Sequence, residues 1–422
     1  MERDIRLQGH LIDDFILSRV LDAIDSIGAS HEIRFLNIGH FRHDPSSAVI
    51  RIVAPSFEVL TQVLRRVIEL GAVPIEPVPA RLESAPADGV LPDHFHATSN
   101  LPTKILVNDQ WLPVAGEEMD LAVVVAGDRH SARAVPMAEV KAGELVVVGE
   151  EGVRVEPPPR DADPEAFRFM ASEVSAEKPK RPLLQKVVRT LRRVKGEGKK
   201  VLLVGGPAII HTGAGEVLER LIRQGWIDIL FAGNALAVHD IEQSLLGTSL
   251  GVPVIANAAA SEGHAHHLWA INAVRRAGSI AAAVDSGLLR RGVMHACVQC
   301  GIPFVLAGSI RDDGPLPDVV TDAMAAQRAM RKLLPGVGMA IMVGSTLHAV
   351  ATGNLLPARV FTVCVDINPG VVTKLQDRGS RQSVGIVMDA ASFLEQLAAG
   401  LETKGSIGYE CTRIKANETN EP

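Results

Sequence analysis

Apolar residues change their spacing along this chain, and the changes divide it. Over residues 1–80, "GHLIDDFILSRVLDAIDSIGA" carries them at helical intervals and stops at Gly28. "HEIRFLNIGH" and "SSAVIRIVAP" read as strands, and "SFEVLTQVLRRVIELGA" as a second helix opened by a Ser56 cap and closed by Gly71. Over 81–160 helical spacing disappears. "KILVNDQWLPV", "MDLAVVVAG", "ARAVPMAEV" and "GELVVVGEEGVRVEPPP" are short β segments separated by turn residues, which predicts a compact β domain. Between Lys178 and Lys200 ten Lys/Arg face one acid, Glu197, while Leu183, Leu184, Val187, Val188, Leu191 and Val194 form one helical stripe. Residues 161–200 are therefore expected to be a linker and a helix with a solvated basic face.

From 201 to 410 apolar runs alternate with helical patterns. Six runs read as strands: Val201–Val204, Ile227–Phe231, Pro303–Leu306, Met339–Val343, Val360–Val365 and Val384–Val387. Runs that are apolar on both faces predict a mostly parallel, Rossmann-like sheet in an α/β fold. The first unit, helix–strand–strand–helix, is analogous to ferredoxin-like or ACT-type units, which often regulate or dimerise. The stretch Leu333–Ala358 lacks Asp, Glu, Lys and Arg, but Pro335, Gly344, Gly353 and Pro357 cut it. It is expected to be a buried strand, a loop and a buried helix rather than a membrane span.

Composition narrows the function. The formal charge of −6 gives no electrostatic footprint for nucleic acid, and aromatic residues make up only 4%. Four cysteines in 422 residues suggest reduced thiols and a cytoplasmic protein, and the charged N-terminus "MERDIRLQGHLIDDF" is not expected to act as a secretory signal. Cys297 and Cys300 form a C-x-x-C, and His264, His266 and His267 cluster in "EGHAHHLW", but no second pair completes a zinc site, so no metal is expected.

Ligands of open parallel sheets bind beyond the carboxyl ends of the strands. Here those ends read "GGPAIIHTGAG", "AGNALAVHD", "AGSIRDDG", "GSTLHAV", "DINPG" and "DAAS". All six bring Gly, Asn, Asp, Ser or Thr to one edge, where glycines admit a ligand to the backbone and helix N-termini offer amides to phosphate. The G-x-G-x-x-G fingerprint is absent. Asp366, just past a strand, suits a pair of ribose hydroxyls. Asn234 is either ligand-facing or a cap for a helix starting near Ala235. His239 and Asp240, one turn into that helix, form a pair suited to a substrate amine or a proton shuttle, or else an ordinary helix pair.

"FLNIGHFRHDPSSAVIRI", "LPDHFHATSNLPTKILVNDQWLPV", "GNALAVHDIEQSLLGTSLG", "GSIRDDGPLPDV", "GSTLHAVATGNLLP" and "VDINP" together resemble the family related to the lysine–ketoglutarate reductase/saccharopine dehydrogenase bifunctional enzyme. That family includes the archaeal-type ornithine cyclodeaminases and the C-terminal part of arginine dihydrolase/ornithine cyclodeaminase fusions. The resemblance runs from about residue 5 to 410. It implies a deoxyhypusine-synthase-like NAD-binding domain after residue 180. It implies that Asn234, Ala235, Asp312, Ser345, Thr346, Leu347, His348, Asp366, Asp389 and Ala390 line the dinucleotide. It implies conversion of L-ornithine to L-proline and ammonia with tightly held NAD. The α-carbon gives up a hydride, the δ-amine closes the ring as ammonia leaves, and the hydride returns. The guanidine-hydrolysing domain of the fusions is missing, so arginine hydrolysis is not expected.

For that chemistry Asp312 and His239 are candidates for proton work, Asp240 for the δ-ammonium, and Lys104 or Arg311 for the α-carboxylate. The expected partner is the small-molecule substrate, in a homo-oligomer. The competing readings are an NAD-dependent amino-acid or opine dehydrogenase with net redox turnover, and a non-catalytic regulator that binds NAD and an amino acid.

Overall fold

In a computed structural model the described residues are 1–9, 11, 15–39, 44–75, 78–156, 180–249, 252–253, 265–312, 314–378 and 383–402. The chain forms two units: Met1–Ala162 with Leu356–Ala358, and Asp163–Leu355 with Arg359–Pro422. His264 and Cys411 lie outside the described residues.

In the first unit β1 (Glu2–Gly9), α1 (Ile16–Ser26), β2 (Ser30–Asn37), β3 (Ser46–Val53), α2 (Phe57–Glu69) and β4 (Val73–Pro74) follow one another. The strands form an antiparallel sheet in the order β2-β3-β1-β4. Ser56 caps α2, its hydroxyl accepting from the Val59 amide at 3.3 Å. The periodicity misses β1, because only Ile5 and Leu7 of its eight residues point into the core. Pairing along its whole length with β3, whose buried and half-buried positions alternate, holds it in place.

A second sheet holds β5 (Arg81–Ser84), β6 (Thr103–Val107), β7 (Gln110–Ala115), β8 (Ala122–Val125), β9 (Ala132–Val135), β10 (Leu145–Val148) and β11 (Val153–Val155), in the order β11-β6-β7-β9-β8-β10-β5. The expected break at residue 80 needs correction. Ile5, Val63 and Val67 share one buried cluster with Ile105, Val123 and Val147, so the small α+β unit and the β domain share a core, beside which the β domain keeps a smaller cluster around Val124 and Val146. With about 80 residues on each side, neither part has much interior of its own, and a shared core buries more apolar surface.

The second unit begins with α3 (Lys180–Gly196), β12 (Lys200–Gly205), α4 (Ala208–His211), α5 (Gly215–Arg223), β13 (Ile229–Gly233) and α6 (Asn234–Leu246). There follow β14 (Thr248–Ser249), β15 (Val252–Pro253), α7 (His266–Ala277), α8 (Ile280–Asp285), α9 (Val293–Gln299), β16 (Phe304–Ala307), β17 (Val319–Val320) and α10 (Ala323–Leu333). It ends with β18 (Val337–Val343), α11 (Leu347–Leu355), β19 (Phe361–Asp366), α12 (Pro369–Arg378), β20 (Ser383–Val387) and α13 (Ala390–Glu402).

All six expected strands are present and pair in parallel, in the order β17-β16-β13-β12-β18-β19-β20. Without the two-residue edge strand β17, which the periodicity missed, this is the 3-2-1-4-5-6 order of a Rossmann sheet. Strand order reverses between β12 and β18, so the crevice of such a fold opens at their carboxyl ends. The segment Leu333–Ala358 holds β18 and α11, as its breakers predicted. The basic helix α3 is not a linker. Its stripe of Leu184, Val187, Val188, Leu191 and Val194 is buried in the core of this unit, leaving only the charged side in solvent.

Candidate functional site

Two glycines shape the crevice. The Gly206 amide donates to the Val343 carbonyl at 2.9 Å, and a Cβ on Gly206 would collide with the Gly344 carbonyl. Gly344 has φ +59°, and a Cβ there would sit 2.8 Å from Ala208 Cβ. Only glycine lets the two turns meet so closely. Ser345 and Thr346 then lead into α11, whose exposed N-terminal residue Leu347 opens a ready anion site of helix amides. Asp366 ends the next strand, 22 positions after Gly344. Its Oδ1 accepts from the Asn368 amide at 2.9 Å and the side chain is partly exposed. A glycine turn followed about 20 residues later by a strand-end acid is the arrangement that binds pyrophosphate and ribose. Here it lies on β18 and β19, in the second half of the sheet, so a search for the fingerprint after the first strand misses it. Three large apolar side chains, Ile310, Leu347 and Ile367, are exposed on this same edge, as expected of a surface that covers flat rings.

His348 joins three strand ends. Its ring packs on Gly233, where a Cβ would come within 2.6 Å of Cε1, and Nε2 lies 3.3 Å from the Ala307 carbonyl. Burial holds its pKa below the ordinary value, although the Ala307 carbonyl and Asp312 act the other way. The neutral ring therefore donates from Nε2.

Asn234 is the first residue of α6 and Gly233 its cap, so Asn234 does not cap it. Buried, its Oδ1 accepts from the Leu316 amide at 3.1 Å and fastens the loop after β16. Ala235 follows, half-buried. In that loop Asp312 Oδ2 accepts from the Ser309 amide at 2.7 Å, and Arg311 is exposed. Asp389 caps α13, accepting from the Ser392 amide at 2.9 Å, and Ser392 holds its carboxyl below the usual range. Ala390 is buried behind it.

Along α6 the two neighbours nominated for chemistry point to different partners. Asp240 is buried, and its oxygens accept from the Val293 and Met294 amides, each at 2.8 Å. Burial pushes its carboxyl up to about 7 against the pull of those amides. A Cβ on Gly292 would approach the carboxyl within 2.7 Å, and Gly292 has φ +101°. Asp240 thus anchors the N-terminus of α9, each of its oxygens held by a backbone amide.

His239 meets Glu242 instead, Nδ1 to Oε2 at 2.9 Å. Glu242 is fully buried, and its Oε1 accepts from the Thr248 hydroxyl at 2.9 Å. Thr248 Oγ1 is 2.8 Å from His266 Nδ1. The rings of His211 and His267 lie 4.6 and 6.5 Å from that of His239. His211 Nδ1 in turn is 2.7 Å from the Ser249 hydroxyl. The sequence reading named His239 but missed Glu242, Thr248 and His211. The one available signal was the i, i+3 spacing of His239 and Glu242 on one helix face.

Lys104 lies in the first unit on β6, 2.7 Å from Glu156. Cys297 is free and buried, and burial raises its thiol pKa far above the usual value. Because Cys297 is free, the C-x-x-C does not close on itself.

Residues 185–397 match the family model "Arginine dihydrolase ArgZ-like, C-terminal, Rossmann fold", and 102–184 match its "first region". Residues 2–101 match the "LOR/SDH bifunctional enzyme conserved region". The chain belongs to the ArgZ-like C-terminal family. Among its relatives is the ornithine cyclodeaminase of Methanothermobacter thermautotrophicus, 49% identical over 96% of this chain and 99% of that protein. Two solved structures of the family bear on the site. One is apo ArgZ, an arginine dihydrolase from the ornithine–ammonia cycle in cyanobacteria, with TM-score 0.84 and 39% identity over 95% of this chain and 58% of that one. The other is the ternary complex of AgrE with ornithine and NAD+, with TM-score 0.52 and 43% identity over 95% of this chain and 57% of that one.

Proposed function

We propose that this chain is an NAD-dependent ornithine cyclodeaminase that converts L-ornithine to L-proline and ammonia. The observation that carries the reading is the crevice itself: Gly206 and Gly344 in mutual contact, an open helix N-terminus after Gly344, and Asp366 at the next strand end. It occurs in a chain 49% identical, over nearly its whole length, to an archaeal ornithine cyclodeaminase. The fit to a dinucleotide is supported by the contact between the two turns, which leaves backbone rather than side chain facing the phosphates.

In this reading Ser345, Thr346, Leu347 and His348 surround the pyrophosphate, Asp366 takes the ribose hydroxyls, and Asn234, Ala235, Asp312, Asp389 and Ala390 complete the lining. NAD, when bound, supplies the transient hydride acceptor. The chain's own residues bind ornithine, hold its amines in reach and move protons. His239 and Asp312 are the candidates for proton transfer. Asp240 we assign to positioning α9, because both its oxygens face backbone amides. Arg311, exposed beside Asp312, is the better candidate for the α-carboxylate, since Lys104 has Glu156 as its partner.

The strand order of the first unit supports a ferredoxin-like description, and the dinucleotide turn on β18 is compatible with a deoxyhypusine-synthase-like domain. Lyase chemistry in proline formation, a cytoplasmic location and a homo-oligomer belong to the same proposal; no described helix is long and apolar enough to cross a membrane.

The test is turnover. Purified protein given L-ornithine and catalytic NAD should release proline and ammonia in equal amounts with no steady rise in NADH absorbance. Steady NADH formation would point to an amino-acid dehydrogenase, and binding of NAD and ornithine without product to a regulator.

A further inference from the structure

We propose that Glu242 is the positioning residue of His239, and that Thr248 and His266 hold Glu242 in turn. The kinetic side of this proposal rests on the ornithine cyclodeaminase reading; the structural side does not.

The protons can be assigned one by one. Thr248 has a single hydroxyl hydrogen, and it donates to Glu242 Oε1. Its oxygen is then an acceptor for His266, so His266 Nδ1 carries a hydrogen. Glu242 Oε2 faces His239 Nδ1, so that nitrogen carries one as well. The chain therefore runs His266 Nδ1–H to Thr248 Oγ1–H to Glu242 Oε1, with Oε2 receiving His239 Nδ1–H. Each oxygen of the carboxyl group thus has a hydrogen-bond partner, as a fully buried polar group requires.

One consequence follows for His239. With Nδ1 committed to Glu242, the neutral ring presents Nε2 as a proton acceptor, and the protonated ring has a carboxylate beside it. This is the orienting role a carboxylate plays behind a histidine base. Among the described residues, the titratable groups facing the ring are Glu242 on its own helix, His211 from α4 and His267 from α7, while His266 is linked to it through Thr248 and Glu242. The reverse tautomer would set the lone pair of Nδ1 against the carboxylate, and Nε2 would then be a donor unable to accept a proton.

The full chain labelled with 15N-histidine tests this, His239 being assigned by its loss in His239→Gln. Wild type should show the Nδ1–H tautomer. Glu242→Gln offers one acceptor where two are needed, so the single tautomer should be lost. The kcat for ornithine should fall by about 10²-fold, at the low end of general acid–base contributions, with KM changed less than about threefold. Glu242→Asp, which keeps the charge, should recover part of the loss. Should Glu242→Gln fail to fold by thermal melting, Thr248→Val removes the Oε1 donor together with the acceptor of His266 but leaves Oε2 on His239, and should lower kcat less, with the tautomer kept. An Nε2–H tautomer in wild type, an unchanged tautomer in Glu242→Gln, or a wild-type kcat once the tautomer is lost would each overturn the proposal. A wild type inactive on ornithine would sink the functional reading alone, because the tautomer still decides the positioning role.

Discussion

The two halves of the parallel sheet meet at one crevice but end in opposite ways. Beyond β13, Asn234, His239, Asp240 and Glu242 are buried and face one another or the backbone: Asn234 on Leu316, Asp240 on α9, and Glu242 between His239 and Thr248. Beyond β18 and β19 the edge is open, with Leu347 and Ile367 in solvent and the side chain of Asp366 partly exposed. A satisfied buried network fixes positions, as proton transfer needs, because each misplaced group costs a lost hydrogen bond. An open edge with a glycine turn has surface to give to a ligand. The first half accordingly supplies His239 and its partners, which we propose for proton transfer, and the second most of the residues we propose for the cofactor, with Asn234 and Ala235 completing that lining from the first.

That contrast can be broken by substitution. The largest effect is expected in the first half, where His239→Gln should lower ornithine turnover by about 10²–10⁴-fold. NAD affinity, measured by fluorescence titration, should change little. A comparable loss of NAD affinity would merge the two halves into one cofactor site.

Next comes Asp240. Asp240→Ala orphans two buried amides and should lower the unfolding free energy by roughly 3 kcal/mol, at about 1–3 per amide. Its pH dependence has a definite sign. Burial raises this carboxyl from 3.8 to about 7 in the folded protein, so the native state keeps a proton that the unfolded chain releases. The group should therefore reduce stability as pH rises across that window and leave it level above. Asp240→Asn should flatten that slope in urea titrations at pH 5 and 8; a slope equal to wild type would rule the residue out as its source.

In the second half Asp366→Ala should weaken NAD binding by about 1.5–3 kcal/mol, the range for a hydrogen bond involving a charged group, with the melting temperature unchanged. Loss of stability without loss of NAD affinity would make Asp366 a turn residue that serves Asn368. Smallest is Leu347→Ser, which removes apolar surface and should weaken NAD by about 1 kcal/mol; no change would leave the exposed edge without a role in NAD binding.

Much of this fold could be read from spacing. The six apolar runs, the break between β18 and α11 and the stripe on α3 are local signals, because a residue buried on both faces of a sheet or along one side of a helix must be apolar whatever surrounds it. Signals weakened where the element was short or had few inward positions, as with β17 and β1. The site was legible as an edge and as a set of residue types. Asn234, His239, Asp240 and Asp366 were all nominated, but with alternatives open for most of them.

The sequence by itself determined the parallel sheet, the edge at which its strands end and the residue types gathered there, since each depends on burial or turn chemistry within a few residues. Only the tertiary structure decided what those residues do. Asp240 is bound to amides 53 and 54 positions away, Asn234 to one 82 positions away, and Glu242 reaches through Thr248 to His266. A carboxyl held by two backbone amides and one placed behind a histidine are the same kind of group in sequence. They differ in what the fold sets opposite their oxygens, and hydrogen bonding, acting over about 3 Å, depends on that alone.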